Sequence, residues 1–283
     1  MRRYSRVNLV CHAFQFRPRI LSCFFLFLFR QRTLTHSASF RKLLPPTYAF
    51  EFIDGPYPDT AAAGIDLFYP PPYYKLYSSV AIPSIKAGHA WLLSHIEEHG
   101  PYDGVMSFSQ GCALTSSFLL YHQAHYPDRP PPFKVAIFIC GGVPLTVVED
   151  LGVDVSEEAR EWEESSKLIL QAKASSEAIL RYGTNRWGEG FDPFVHDKRD
   201  KENVFGFDFS RVPTELLIQI PTVHVYGNRD PRFPASVTLA HFCEKSVRRT
   251  FDHGGGHDIP KRRDVRETMK ELVEWCGMMA DRH

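Results

Sequence analysis

Ser107-Phe108-Ser109-Gln110-Gly111 decides the reading of this chain. It follows the strand-like Asp103-Gly104-Val105-Met106 and opens a helix-like run from Cys112 to His125. A serine at a sharp strand-to-helix turn has its hydroxyl lifted clear of the sheet, in a strained backbone that small residues two before and two after it tolerate. Gly111 fits the later position. Ser107 stands where the pattern usually has glycine. The motif alone is more often an ordinary turn, so its weight depends on partners downstream.

Two partners stand in the right chain order. Asp230 lies in Gly227-Asn228-Arg229-Asp230-Pro231, just past the strand-like Val223–Tyr226. His257 lies in His253-Gly254-Gly255-Gly256-His257, after the strand-like 247–251. Acyl transfer needs an oxygen nucleophile, a base to take its proton and an acid to orient the base. All three residues fall at carboxyl ends of expected strands, so they should meet at one edge of a parallel sheet. Each has a plainer reading: Asp230 could stabilise a turn before Pro231, and Gly254 to Gly256 could be a flexible connector. Chance placement of all three in order is the weaker explanation. Ser107 would point to the opposite side of its strand. His253 is the rival base, but it reads as a strand end. His224 reads as a core or sheet-face histidine, and Asp192 and Asp208 as solvent-facing.

The rest of the chain suits such a sheet. Expected strands are 48–53, 104–108, 134–140, 222–226 and 247–251. Expected helices are 85–99, 110–125, 234–244 and 264–279, with apolar residues at helical spacing. Strands alternating with helices imply a mostly parallel, doubly wound α/β sheet. Tyr57 to Tyr77 is rich in Pro and Tyr and reads as a long loop over a pocket. Residues 149–213 break the alternation and read as an inserted cap, with a helix start at Ser156 and Ala159.

The chain has 283 residues, 43% hydrophobic, and a formal net charge of zero. That supports a sizeable core and disfavours nucleic acid as main partner. Six cysteines without a C-x-x-C pair read as reduced thiols rather than disulfides or a metal site, which points to a cytoplasmic protein. Residues 1–47 are atypical. No Asp or Glu precedes Glu51, and arginines recur; such a start resembles a mitochondrial transit peptide. The apolar run Ile20–Phe29 is too short for a bilayer, which needs about 20 residues. It reads as a signal-like segment, a buried strand or a helix. The hydrolase-like domain is then 48–283.

The block from Gly100 to Leu114 resembles the G-P-F-D-G…G-F-S-Q-G-A block of the FSH-type serine hydrolases. Pro221 to Asp230 is similar to their P-x-L-H-x-x-G-x-x-D block, and His253 to Pro260 to their H-x-G-G-H-x-h-P block. The resemblance covers about Phe29 to the C-terminus. It implies an α/β-hydrolase fold and an esterase or thioesterase acting on acyl esters or thioesters, with Ser109 as nucleophile, His257 as base and Asp230 as acid. It implies no metal or organic cofactor. Some members release polyketide chains from an acyl-carrier domain of a synthase, which would be the partner. Gln110 would give one oxyanion N–H. The second donor normally comes from an L-H-G-x-G-x-N loop. The nearest stretch here is Leu9-Val10-Cys11-His12-Ala13-Phe14, without glycines. That departure keeps two alternatives open: a catalytically impaired hydrolase fold used for binding, and an acyltransferase with the same triad. A strand at Val7–Cys11 beside Val105 is the expected mark of an intact enzyme.

Overall fold

The computed structural model describes residues 23–28, 37–188 and 203–282. Its centre is a six-stranded sheet in which every neighbouring pair is parallel. The strands are β1 (Cys23–Leu28), β2 (Tyr48–Ile53), β5 (Gly104–Phe108), β6 (Val135–Ile139), β9 (Thr222–Tyr226) and β10 (Arg248–Asp252), in spatial order β2-β1-β5-β6-β9-β10. The helices between them are α1 (Ile82–His99), α2 (Gln110–His125), α6 (Phe233–His241) and α7 (Arg263–Ala280).

Alternation along each strand explains the two layers. Leu26, Leu28, Val105, Ala136 and Phe138 face a core built with α1, α2 and α6. Phe25, Met106, Val135, Ile137, Val223 and Val225 face a second core, closed by Val265, Met269, Val273 and Cys276 of α7. Strands buried on both faces need continuous apolar sequence. β6 (Val-Ala-Ile-Phe-Ile) has it, and so does β1 (Cys-Phe-Phe-Leu-Phe-Leu).

β1 settles one open reading. Leu26 pairs with Val105, and Phe25 with Gly104. The strand beside Val105 is therefore Cys23–Leu28, from within the Ile20–Phe29 run; Val7–Cys11 lies outside the described residues. Among the described residues, the first strand of the sheet thus lies inside the segment 1–47. Asp103 also holds β1, its Oδ2 accepting the Phe24 N–H at 2.8 Å.

The 57–77 segment and the cap sit above the carboxyl edge. Tyr57 to Tyr77 is not a plain loop. It carries a small antiparallel hairpin, β3 (Tyr57–Asp59) with β4 (Tyr73–Lys75). Strands of three residues, one holding Pro58 and the other directly after Pro72, give no periodic signal, which is why the sequence conceals them. The cap comprises α3 (Leu145–Asp150), α4 (Glu157–Ala174), α5 (Ser176–Tyr182) and the short pair β7 (Asn203–Val204) and β8 (Phe207–Asp208). Ser156 caps α4, its Oγ accepting the Ala159 N–H at 3.1 Å. Asp192 lies outside the described residues, and Asp208 is exposed.

If β1 is a core strand, emptying it must destabilise the whole domain. Phe25 is fully buried. The expected cost of Phe25→Ala is about 3–5 kcal/mol, read as a lower urea midpoint. An unchanged midpoint would mean the segment is dispensable to the fold.

Candidate active site

Ser109 occupies the turn between β5 and α2 with φ 52° and ψ −115°. A non-glycine residue at positive φ is strained, and such strain persists only where the surroundings over-determine it. Here they do. The Ser109 N–H donates to Ile139 O at 3.0 Å, and its carbonyl accepts the Cys112 N–H at 3.0 Å. Gly141 lies against the turn, where a Cβ would meet Ser109 O and Cys112 Cβ at 2.5 Å. Ser107, in place of glycine, is fully buried. Its hydroxyl bonds Thr115 Oγ1 of α2 at 2.7 Å, so the extra polar atom is satisfied and points into the core.

Asp230 and His257 arrive from the two neighbouring strand ends. His257 Nε2 lies 3.0 Å from Ser109 Oγ, and His257 Nδ1 lies 2.8 Å from Asp230 Oδ2. Asp230 is fully buried and His257 is 2% exposed. The other carboxylate oxygen of Asp230 accepts the Arg232 N–H at 2.8 Å. With Asp230 anionic, Nδ1 carries the histidine proton and Nε2 is left to accept from the serine. This assignment of the proton follows from the hydrogen-bond network. The Phe108 ring packs beside the imidazole, with centroids 5.1 Å apart. Trp187 of the cap covers the loop before His257 so closely that only glycine fits at 256.

The rival residues are accounted for. His253 Nδ1 accepts the Gly255 N–H at 3.1 Å, and its Nε2 faces Cys140 Sγ at 3.8 Å rather than Ser109. His224 is stacked on Phe138 and bonds Thr222, and burial pushes its pKa down to about 3. It is a neutral core histidine.

Gln110 is the first residue of α2, so its N–H has no intrahelical partner and sits at the positive end of the helix dipole. Its side chain is tied down separately, with Oε1 accepting the Leu76 N–H at 3.2 Å. β1 runs parallel to β5 and ends at Leu28, so the chain leaves the sheet on the same edge as Ser109. The residues that follow, 29–36, lie outside the described residues, as does Leu9–Phe14.

Two clefts meet at Ser109. One, of about 550 Å³, is lined by Tyr77, Ala113, Val143 and Leu145 on the core side and by Glu163, Lys167 and Leu170 of α4 on the cap side. The other, of about 330 Å³, lies under the hairpin, with Ile65, Tyr73, Tyr74 and Lys75 in its wall. The Tyr57–Tyr77 segment therefore lines a pocket, as its aromatic content suggested.

Two residues at this edge were not singled out by sequence. Arg232 is nearly buried and grips the cap: its guanidinium meets Glu163 Oε2 at 2.8 Å and Ser166 Oγ at 2.7 Å. The partners are separated by 69 positions, and nothing local in the sequence joins them. Cys140, at φ 51° after β6, lies beside Asp230 and His257. Its position directly before Gly141-Gly142 was the available signal.

The sequence profile of the serine hydrolase family FSH1 matches residues 28–269. The chain belongs to that family and is a serine hydrolase. It is similar to "Esterase FPY3" of Fusarium mangiferae, 29% identical over 232 residues covering 81% of this chain and 77% of the relative. It is also similar to "Hydrolase FUB4" of Fusarium oxysporum f. sp. lycopersici, 26% identical over 249 residues covering 81% of this chain and 87% of the relative. Among solved structures, one from a study of two fungal esterases of Rhizomucor miehei superposes with a TM-score of 0.50, at 11% identity, over 91% of this chain and 73% of that one. That likeness is one of fold, the α/β-hydrolase fold.

The Arg232–Glu163 contact ties the cap to the turn holding Asp230, and it carries a pH signature. Desolvation pushes the Glu163 pKa up, but Arg232 and Lys167 outweigh it, and the net value lies below the ordinary 4.5. A depressed folded pKa stabilises the protein above the unfolded value and is lost as pH falls through the folded one. Wild-type Tm should therefore fall as pH drops below about 4.5, and Glu163→Gln should flatten that slope while lowering Tm at pH 7. Parallel Tm–pH curves for the two proteins would contradict this.

Proposed function

We propose that this serine hydrolase cleaves carboxylic ester or thioester bonds, with Ser109 as nucleophile, His257 as general base and Asp230 as the acid that orients it. The observation that carries the reading is the unbroken hydrogen-bond series from Ser109 Oγ through the imidazole to Asp230, at 3.0 and 2.8 Å, ending at the floor of two clefts. Ser109 Oγ attacks the acyl carbonyl carbon as its proton passes to His257 Nε2. The imidazolium so formed is stabilised by Asp230. The carbonyl oxygen becomes an oxyanion beside the Gln110 N–H, whose bond strengthens as charge develops there. His257 then gives its proton to the departing alcohol or thiol. Water enters, is deprotonated by His257, and releases the acid.

The clefts support a substrate with a sizeable group on each side of the scissile bond. Apolar core-side walls facing a charged α4 wall suit an acyl chain that is mostly apolar and partly oxygenated. A polyketide chain delivered on an acyl-carrier domain fits that description, and the resemblance to FSH-type hydrolases favours it. A cytoplasmic site of action agrees with the described cysteines, all free and buried. Among the described residues no helix is long and apolar enough to cross a membrane.

A fluorophosphonate probe should label wild type and leave folded Ser109→Ala unlabelled. Absence of labelling in folded wild type would sink the enzyme reading. With an activated ester, His257→Ala should lose about 10⁴-fold or more in kcat, and His253→Gln far less. Equal losses would move the base to the other histidine.

A further inference from the structure

We propose that the Gln110 side chain divides the site into two subsites. The acyl group occupies the cleft of about 550 Å³, and a polar, hydrogen-bonding alcohol or thiol leaves through the cleft of about 330 Å³ under the hairpin. Among the described residues the two clefts share only Ser109 and Gln110. The seam between them also shows in the chain. Lys75 lines the smaller cleft and Tyr77 the larger. Leu76, between the two, is fully buried, and its N–H donates to Gln110 Oε1 at 3.2 Å. The side chain thus reaches from the start of α2 to the residue after β4, and a partition stands beside the serine. Gln110 then has two separate tasks. Its N–H meets the oxyanion, and its side chain keeps apart the groups on either side of the scissile bond.

The destination of the proton decides which group goes where. The departing oxygen or sulfur takes its proton from His257 Nε2, so the leaving group lies on the imidazole side of Ser109. Phe108 packs against that ring, with centroids 5.1 Å apart, and Phe108 lines the smaller cleft. Cys140, the residue of the larger cleft beside the triad, turns its sulfur to the Asp258 carbonyl and to His253. The wall chemistry agrees. The smaller cleft presents Asp54, Asp59, Thr60, Tyr74 and Lys75, which suit a chain bearing amides or hydroxyls. The larger presents Ala113, Val143 and Leu145 on its core side and Leu170 on its cap side, which suit an apolar acyl chain. The direction of the substrate rests on the roles proposed above for Ser109 and His257; the partition does not.

The test measures kcat/KM of the intact protein for three thioesters: S-octanoyl-N-acetylcysteamine, S-acetyl-N-acetylcysteamine and S-methyl thioacetate. Two ratios are read, octanoyl over acetyl and amide-bearing over methyl. Ala113→Phe narrows the larger cleft and should lower the first ratio about tenfold. Ala61→Phe narrows the smaller cleft and should lower the second ratio about tenfold. Either ratio unmoved in its folded variant, or the reverse pairing, would overturn the assignment. Removing the partition should couple the clefts. In a Gln110→Ala background the octanoyl loss caused by Ala113→Phe should shrink to about threefold or less, because the chain can then cross the seam. Gln110→Ser, also too short to reach Leu76, takes its place if Gln110→Ala does not fold. An undiminished loss would contradict the partition. In parallel, octanoic acid is titrated into folded Ser109→Ala by calorimetry. Adding Ala113→Phe should raise its Kd about tenfold, and adding Ala61→Phe should not. No binding, or weakening by Ala61→Phe instead, would overturn the acyl subsite. Were wild type to turn over none of the thioesters, the enzyme reading would fail while this titration still decided the subsite.

Discussion

The strained turn at Ser109 is the constraint on which this structure depends. A serine at φ 52° is held between a strand buried on both faces and a helix whose first turn buries Gly111 and Cys112. The turn fixes the hydroxyl above the sheet edge. It also points the start of α2 at the same spot, so the proposed nucleophile and an N–H donor come from consecutive residues. Neighbouring strands supply everything else at that edge: Gly141 gives the turn its clearance, and β9 and β10 deliver the carboxylate and the imidazole. Strain at one residue is offset by order in the rest of the sheet.

That dependence explains what the sequence could reveal. β5 and α2 were readable to the residue, because Ser109-Gln110-Gly111 marks both their boundaries. Asp230 and His257 were readable because each follows a strand with recognisable turn chemistry. The N-terminus of α1 comes three positions earlier than its apolar spacing implies, since Pro83 fits the first turn of a helix without adding to the periodicity. β1 stayed ambiguous because the continuous apolar run Ile20–Phe29 has no period to separate strand from helix. Only its pairing with Val105 and Tyr48–Ile53 decides it.

The features that sequence concealed are long-range ones. The ion pair of Arg232 with Glu163 joins the end of β9 to a cap helix whose acidic cluster suggested only a helix start. Trp187 roofs the loop of His257, and Gly256 is small for that reason rather than for flexibility alone. Cys140 looked like one buried thiol among several. Its place between Asp230, His257 and His253 emerges only once three strand ends are set side by side. The cap, the loop of Asp230 and the loop of His257 are thus one packed unit above the sheet edge. A change in cap sequence can therefore reach the proposed catalytic residues through Arg232 and Asp230.

The central claim is that one alcohol, one imidazole and one carboxylate act in series above the start of α2. A crystal structure of the protein trapped with a small organophosphonate tests it most directly. The account predicts phosphorus bonded to Ser109 Oγ, the phosphoryl oxygen against the Gln110 N–H, and His257 still bonded to Asp230. An adduct on any other residue, or a phosphoryl oxygen turned away from Gln110, would contradict it.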